Sequence, residues 1–172
     1  MIGIRDDVED LAEDRFQAPG LSVLNLKLDL VQLGENHYSG EYNLQTYKDF
    51  CDLLILLDQK KLIKYSQVVG LGGLAWNLMK MCFDGVGFQA NELTKKVQTN
   101  EWTRDCLYQV ILAVEKPRDV ISQIAHSNLK NKLECVELGI TGGERLFFNE
   151  ACQWDISELR QRYDQGLAPC IS

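Results

Sequence analysis

Apolar and polar residues alternate in the first long apolar segment of the chain, residues 21–31. Four leucines occupy every second position there, separated by polar residues: Leu24, Leu26, Leu28 and Leu30. A period of two residues predicts a strand with one buried face. The glycine-containing polar stretch that follows, residues 34–42, predicts a loop, which carries His37, Tyr38 and Tyr42.

The pattern then changes to a spacing of three and four residues between positions 45 and 64, set by Tyr47, Phe50, Cys51, Leu54 and Leu57. This spacing predicts a helix. Leu53, Ile55 and Leu56 extend its apolar surface beyond one stripe, so we expect a mostly buried helix. A second helix is predicted over residues 75–83, ending at Asp84-Gly85.

The remaining segments complete an α/β pattern. Short strands are predicted before the glycine turn at 70–73 and at 86–90, and the apolar run 106–114 predicts a central strand. Pro117 begins a helix that ends near residue 126. Strands 133–140 and 145–149 are predicted to form a hairpin, and Ser157 is expected to cap a last helix. The order β-α-β-α-β-α-β-β-α favours an α/β fold (an α+β sandwich), with helices covering one face of a mixed sheet.

Composition narrows the class of protein. The 172 residues fit one domain, and the net charge of −7 disfavours nucleic acid as a partner. The short lysine clusters at 60–64 and 95–96 fit solvated helix faces. No membrane-spanning helix is expected, because no run of about 18 apolar residues occurs. No signal peptide is expected, because residues 1–20 form an acidic lead-in that ends at Pro19-Gly20.

The cysteines and tryptophans carry weaker signals. No two cysteines lie within four residues of each other (Cys51, Cys82, Cys106, Cys135, Cys152 and Cys170), so we expect no metal site. Reduced, mostly buried thiols in a reducing, intracellular compartment are expected instead. Trp76, Trp102 and Trp154 are expected as core anchors, although one of them could lie at an interface.

The glycine turn Gly70-Leu71-Gly72-Gly73-Leu74 is the most suggestive local motif, because it joins a predicted strand to a predicted helix. Backbone N–H groups at such a turn can bind an anion. The motif lacks the spacing of a dinucleotide-binding loop, and no Gly-Lys-Ser/Thr follows it. A tight structural turn and a phosphate site therefore both remain open.

The order of these segments resembles the C-terminal domain of the PurM-like superfamily, and more narrowly the second such half of phosphoribosylformylglycinamidine synthase. In residues 44–87 the matching frame consists of Leu62, Gly72, Gly73, Leu74, Met81, Phe83, Gly85 and Gly87. Segments 21–34, 133–143 and 157–164 are also similar to parts of that domain. The resemblance implies a PurM C-terminal-like domain over residues 21–165, a lead-in over 1–20 and a tail over 166–172.

The positions that carry chemistry depart from the family. In the register set by the double glycine, the family's histidine falls on Gln67, its aspartates on Val68 and Leu71, and its serine on Gly70. The family's helix glutamate falls on Lys80. Valine and leucine offer no oxygen to magnesium. The resemblance thus implies a pseudoenzyme with no cofactor and no metal, whose ancestral loop comprises Gln67, Val68, Gly70, Leu71, Gly72 and Gly73.

Degenerate homologues of this synthase occur as tegument proteins of gammaherpesviruses, which act against host PML nuclear bodies. The resemblance implies a host nuclear partner such as DAXX, ATRX or another nuclear-body component, a location in the host nucleus and the virion tegument, and a homodimer as a further expectation. Tyr38, Tyr42 and Trp102 are the expected partner contacts, from aromatic content alone. Two alternatives stay open: a fragment of an active ATP-dependent synthase, and a purely architectural domain.

Overall fold

A computed structural model describes residues 12–28, 44–96, 99–104 and 108–166. Its strands are β1 (Ser22–Leu28), β2 (Tyr65–Val68), β3 (Phe88–Ala90), β4 (Gln109–Val114), β5 (Leu133–Thr141), β6 (Arg145–Asn149) and β7 (Cys152–Asp155). Its helices are α1 (Leu44–Gln59), α2 (Gly73–Met81), α3 (Thr99–Thr103), α4 (Pro117–Ala125) and α5 (Ile156–Gln165), with a 3-10 turn at Thr94–Lys96. None of the helices in these ranges is long and apolar enough to cross a membrane.

The seven strands form one mixed sheet in the order β2-β4-β1-β5-β3-β6-β7. β1 lies between β4 and β5 and runs antiparallel to both. This arrangement confirms the predicted α/β class with a mixed sheet.

Helices pack on both faces of the sheet, so the prediction of one covered face is wrong. Leu24 and Leu26 of β1 pack with α1 and α4 in one apolar cluster. Val23, on the opposite face of the same strand, packs with α2 and α5 in a second cluster. Because β1 is a central strand with cover on both sides, its alternation of leucine with polar residues marks two buried faces, and even Asn25 is 7% exposed.

Helix α1 is amphipathic and shorter than its predicted range. Leu57 is fully buried whereas Ile55 is 52% exposed, so the expectation of a mostly buried helix holds for one stripe only. Lys61, which follows the end of the helix, has a left-handed backbone with φ 55°. The Leu62 N–H donates to the Leu57 carbonyl (3.0 Å) and the Lys61 N–H to the Asp58 carbonyl (2.8 Å), the paired bonds of a Schellman motif.

The predicted hairpin of residues 133–149 is wrong, because β3 lies between β5 and β6. β3 is antiparallel to β5 and parallel to β6, and β6 pairs instead with β7, a strand the sequence pattern missed. The chain after β5 passes around Gly87: the Gly87 N–H donates to the Gly143 carbonyl and the Gly142 N–H to the Gly87 carbonyl, both at 2.8 Å. A Cβ at Gly87 would overlap the Arg145 carbonyl oxygen, so this crossing requires glycine.

Helix α5 begins at Ile156, and its cap is Asp155 rather than the predicted Ser157. The Asp155 carboxylate accepts from the backbone N–H groups of Ser157 (2.9 Å) and Glu158 (3.4 Å). It also accepts from the Ser157 hydroxyl at 2.6 Å. These bonds to the charged form, led by the Ser157 side chain, lower the pKa of Asp155.

Candidate functional site

The backbone conformation favours glycine at both central positions of the glycine turn. Gly72 and Gly73 have φ values of 82° and 64°, in the left-handed region that favours glycine. A Cβ at Gly73 would lie 2.7 Å from the Arg104 carbonyl oxygen and 2.7 Å from the Thr103 carbonyl carbon. The start of α2 therefore packs directly on the backbone at the end of α3, which accounts for the turn as a packing element.

The side chains at the positions of the family's aspartates point outward. Val68 is 67% exposed and Leu71 is 84% exposed. Gln67, at the position of the family's histidine, is half-buried, and its amide donates to the Val68 carbonyl at 3.0 Å. This end of β2 thus presents apolar groups to solvent where the resemblance places oxygen ligands.

Gln67 and Lys80 line the same small pocket, of about 110 Å³, although they are 13 positions apart in the chain. Arg15 and Arg160 line it as well. Arg15 pairs with Asp84 at 2.9 Å, a contact that raises the pKa of the arginine, and Arg160 pairs with Asp164 at 2.8 Å. Asp14 also lines the pocket, so its lining carries charges of both signs. No group of three or more His, Cys, Asp or Glu residues that could hold a metal ion occurs in the described ranges.

The three tryptophans differ in exposure. Trp102 is 4% exposed and packs on Phe148 with a ring separation of 4.4 Å, which confirms it as a core anchor. Trp76 and Trp154 are 40% and 43% exposed, so the expectation of core anchors is wrong for both. Trp154 lies on the sheet-edge strand β7, and Trp76 projects beside Gly72, where the chain turns at the surface.

Trp76 belongs to an exposed apolar surface, which we name the α2 surface and define by Leu71, Trp76 and Tyr163. The rings of Trp76 and Tyr163 lie 5.7 Å apart, and Tyr163 is 49% exposed. Trp76 belongs to the helix that packs on the face of the sheet opposite to α1 and α4. Val68 does not belong to this surface, because it is paired with Val110 of β4, which packs in the cluster with α1 and α4.

Of the three expected partner contacts, only Trp102 lies within the described residues. Tyr38, Tyr42 and the neighbouring His37 lie outside the described residues. Trp102 is in the interior, with its ring turned toward Phe148, and so does not offer its side chain to a partner.

A polar pair inside the sheet was missed by sequence reasoning. The Gln109 amide donates to the Asn25 carboxamide oxygen at 2.8 Å, and Gln109 is only 3% exposed. Both residues line a cavity of about 300 Å³ that Leu74, directly after the double glycine, also borders. No signal in the sequence pointed to this pair, because the leucine alternation placed Asn25 on the exposed face of the predicted strand.

The described cysteines are free thiols, and only Cys82 is fully buried. Burial raises the pKa of the Cys82 thiol and raises the pKa of Cys135 to about 11, with a further contribution from Glu137. Cys106 and Cys170 lie outside the described residues. The buried thiols are therefore poor nucleophiles at neutral pH.

Comparison with known proteins shows the fold. No family model and no curated protein matches the sequence. Among solved structures, Thermotoga maritima PurL complexed with ATP matches with a TM-score of 0.66 and 11% identity, over 88% of this chain and 27% of that one. PurLQS from the same organism matches with a TM-score of 0.67 and 11% identity, over 91% and 28%.

A hydrogenase maturation protein, Escherichia coli HypE, matches with a TM-score of 0.55 and 14% identity, over 83% of this chain and 50% of that one. The chain thus spans about a quarter of the length of the PurL structures and half of HypE. Its fold is the PurM-like fold that these proteins share.

Proposed function

We propose that this chain is the catalytically inactive, PurM-like part of a longer synthase-like viral tegument protein, and that it binds a host PML nuclear-body component and so acts against intrinsic antiviral defence. The observation that carries the proposal is the exposure of Val68 and Leu71, at 67% and 84%. These side chains give magnesium and phosphate nothing to bind, whereas large exposed apolar side chains such as Leu71 can contribute to protein-binding surfaces.

The α2 surface has the composition of a protein contact. Trp76 and Tyr163 supply aromatic groups of the kind that dominate binding energy at interfaces, and Leu71 supplies an exposed aliphatic group in the turn that precedes α2. DAXX and ATRX are the proposed partners, in the host nucleus, and the virion tegument is the proposed location of the parent protein.

The experiment measures binding of purified DAXX and of purified ATRX to the immobilised chain. Replacing Leu71 by aspartate places a charge in the α2 surface, and we expect affinity to fall by about tenfold or more. The matched control is Ile121→Asp, since Ile121 is 51% exposed on α4, on the opposite side of the sheet. Absence of wild-type binding to both proteins, or equal losses in the two variants, contradicts the proposal.

A second candidate is a fragment of an ATP-dependent phosphoribosylformylglycinamidine synthase. It is favoured by the shared fold with Thermotoga maritima PurL, which has been seen in complex with ATP. Calorimetry with magnesium and ATP distinguishes the two. Saturable ATP binding that Leu71→Asp strengthens would favour the synthase, whereas heats equal to buffer dilution favour the binding module.

A further inference from the structure

Helix α1 has a second apolar face besides the one that packs on the sheet. The residues that face the sheet are Thr46, Phe50, Leu53 and Leu57. The second face carries apolar side chains at intervals of three and four residues, which bring them onto one side of a helix. We name it the α1 stripe and define it by Leu44, Tyr47, Cys51 and Ile55.

The α1 stripe is open to solvent along its length. Leu44, Tyr47 and Ile55 are 74%, 44% and 52% exposed, and Cys51 between them is half-buried. At 1.5 Å per residue, the stripe extends about 17 Å along the helix. Large apolar side chains that lie next to one another on a surface, unlike single scattered ones, are typical of association sites.

The stripe faces away from α4, the helix that shares its side of the sheet. Directly after α1, the Lys60 ammonium donates to the Gln123 side chain of α4 at 2.5 Å. Cys51 precedes Lys60 by nine residues, which places it about 180° around a helix with 3.6 residues per turn. The stripe therefore projects from the side of α1 opposite to α4.

The charges beside the stripe favour a second copy of this chain as its partner. Lys48 and Asp52 form an ion pair at 3.2 Å, with side chains 68% and 57% exposed. Each directly follows a stripe residue, Tyr47 or Cys51, so both are displaced from the stripe to the same side. In an antiparallel pair of helices related by a two-fold axis, the same side of each helix meets its copy. An axis at the level of Phe50 brings Lys48 of one copy level with Asp52 of the other, and the reverse.

The same axis packs the stripe against itself. It places Tyr47 of one copy midway between the levels of Cys51 and Ile55 of the other, and Leu44 next to the level of Ile55. A side chain that inserts between two residues of the facing helix is the packing found in coiled coils. The order of the charges and the spacing of the apolar residues thus agree on one arrangement.

We propose that two copies of this chain associate through the α1 stripe, with their α1 helices antiparallel about a two-fold axis level with Phe50. With 16 residues, α1 is about 24 Å long and roughly 10–12 Å wide. The surface that it can present is smaller than the roughly 800 Å² per partner of a standard interface, so the dimer is weak and reversible. Because α2 packs on the other face of the sheet, this dimer leaves Trp76 accessible and does not depend on the proposed function.

Sedimentation equilibrium of the full chain over a wide range of concentrations tests the proposal. Ile55→Asp places a charge in the stripe, and we expect it to weaken the dimer by about tenfold or more. The matched control is Ile121→Asp. Ile121 is 51% exposed and lies two residues before Gln123, about 200° around α4, so it faces away from α1. The control should dimerise as the wild type does. A wild-type chain that stays monomeric, or equal weakening by the two substitutions, overturns the proposal.

Charge reversals test the two-fold arrangement without changing the apolar contact. Lys48→Asp sets carboxylates against carboxylates across the axis, and Asp52→Lys sets ammonium groups against ammonium groups. Each variant alone should therefore self-associate about threefold more weakly than the wild type, or worse. An equimolar mixture of the two variants restores both ion pairs between copies, so it should associate as tightly as the wild type. A mixture that associates no more tightly than the separate variants refutes the antiparallel pairing.

Discussion

The double glycine offers a sharp test of the packing between α2 and α3, because the chain contains a matched control. Gly73 and Gly143 have nearly the same backbone angle, with φ of 64° and 70°. A Cβ at Gly73 would lie 2.7 Å from two backbone atoms of residues 103 and 104, whereas a Cβ at Gly143 would meet nothing within 4 Å. Replacing each glycine by alanine therefore imposes the same backbone strain but a steric clash at Gly73 only.

The magnitudes follow from these two contributions. A left-handed conformation costs an L-residue about 1–2 kcal/mol, so Gly143→Ala should lower the free energy of unfolding by that amount. Overpacking against atoms that cannot move aside adds about 1–3 kcal/mol, so Gly73→Ala should lower it by roughly 2–5 kcal/mol. At about 2–4 °C per kcal/mol for a chain of this length, the two variants should differ by several degrees in Tm.

Urea unfolding followed by circular dichroism measures both variants against the wild type. Equal m-values show that the unfolding transition itself is unchanged, so the midpoints report stability. Equal destabilisation by the two substitutions, or a larger effect at Gly143, would refute the close contact between the start of α2 and the end of α3.

Three further predictions concern other parts of the fold. Leu57→Ala should lower the free energy of unfolding, measured in urea, by about 2–5 kcal/mol. Ile55→Ala, on the exposed side of α1, should change it by no more than about 0.5 kcal/mol. Similar losses in the two variants would contradict the assignment of the buried face of α1. Asp155→Asn should lower Tm at pH 7, because the capping bonds stabilise the charged carboxylate. The difference in Tm from the wild type should disappear as the pH falls from the ordinary carboxyl pKa of 3.8 through the lowered pKa of the folded state. A difference that persists in acid would refute this. Cys82 should be alkylated by iodoacetamide only after unfolding, as mass spectrometry of its peptide can show, and fast native labelling would contradict its burial.

The sequence was informative wherever the decisive contacts are local. The leucine alternation located β1 and its Leu24 and Leu26 face, and the three- and four-residue spacing located α1. Pro117 marked the first residue of α4 correctly, whereas α2 begins at Gly73 and ends at Met81, two residues before its predicted start and end. In each case neighbouring residues in the chain determine the geometry.

Features that depend on distant segments were not predictable in this way. The Thr141-Gly142-Gly143-Glu144 segment has the chemistry of a hairpin turn, yet β3, more than 50 residues earlier in the chain, inserts between the two strands. Turn residues determine where the chain can bend, and they do not determine which strand comes to lie alongside. The Gln109–Asn25 pair was missed for the same reason, since the two residues meet only after β1 and β4 have paired.

Tightly packed glycines and exposed apolar residues carry different weight as arguments about function. Gly73 and Gly87 are required by backbone atoms that lie against them, so the fold alone explains why glycine stands there, and neither needs a ligand. Val68 and Leu71 differ from these glycines, because they are 67% and 84% exposed. Packing within the described fold therefore does not require an apolar side chain at either position. A polar side chain would be as compatible with the backbone and would be better hydrated. Single exposed apolar side chains are common at protein surfaces, so their exposure alone does not require a contact. The partner contact proposed at Leu71 is tested directly by the Leu71→Asp substitution.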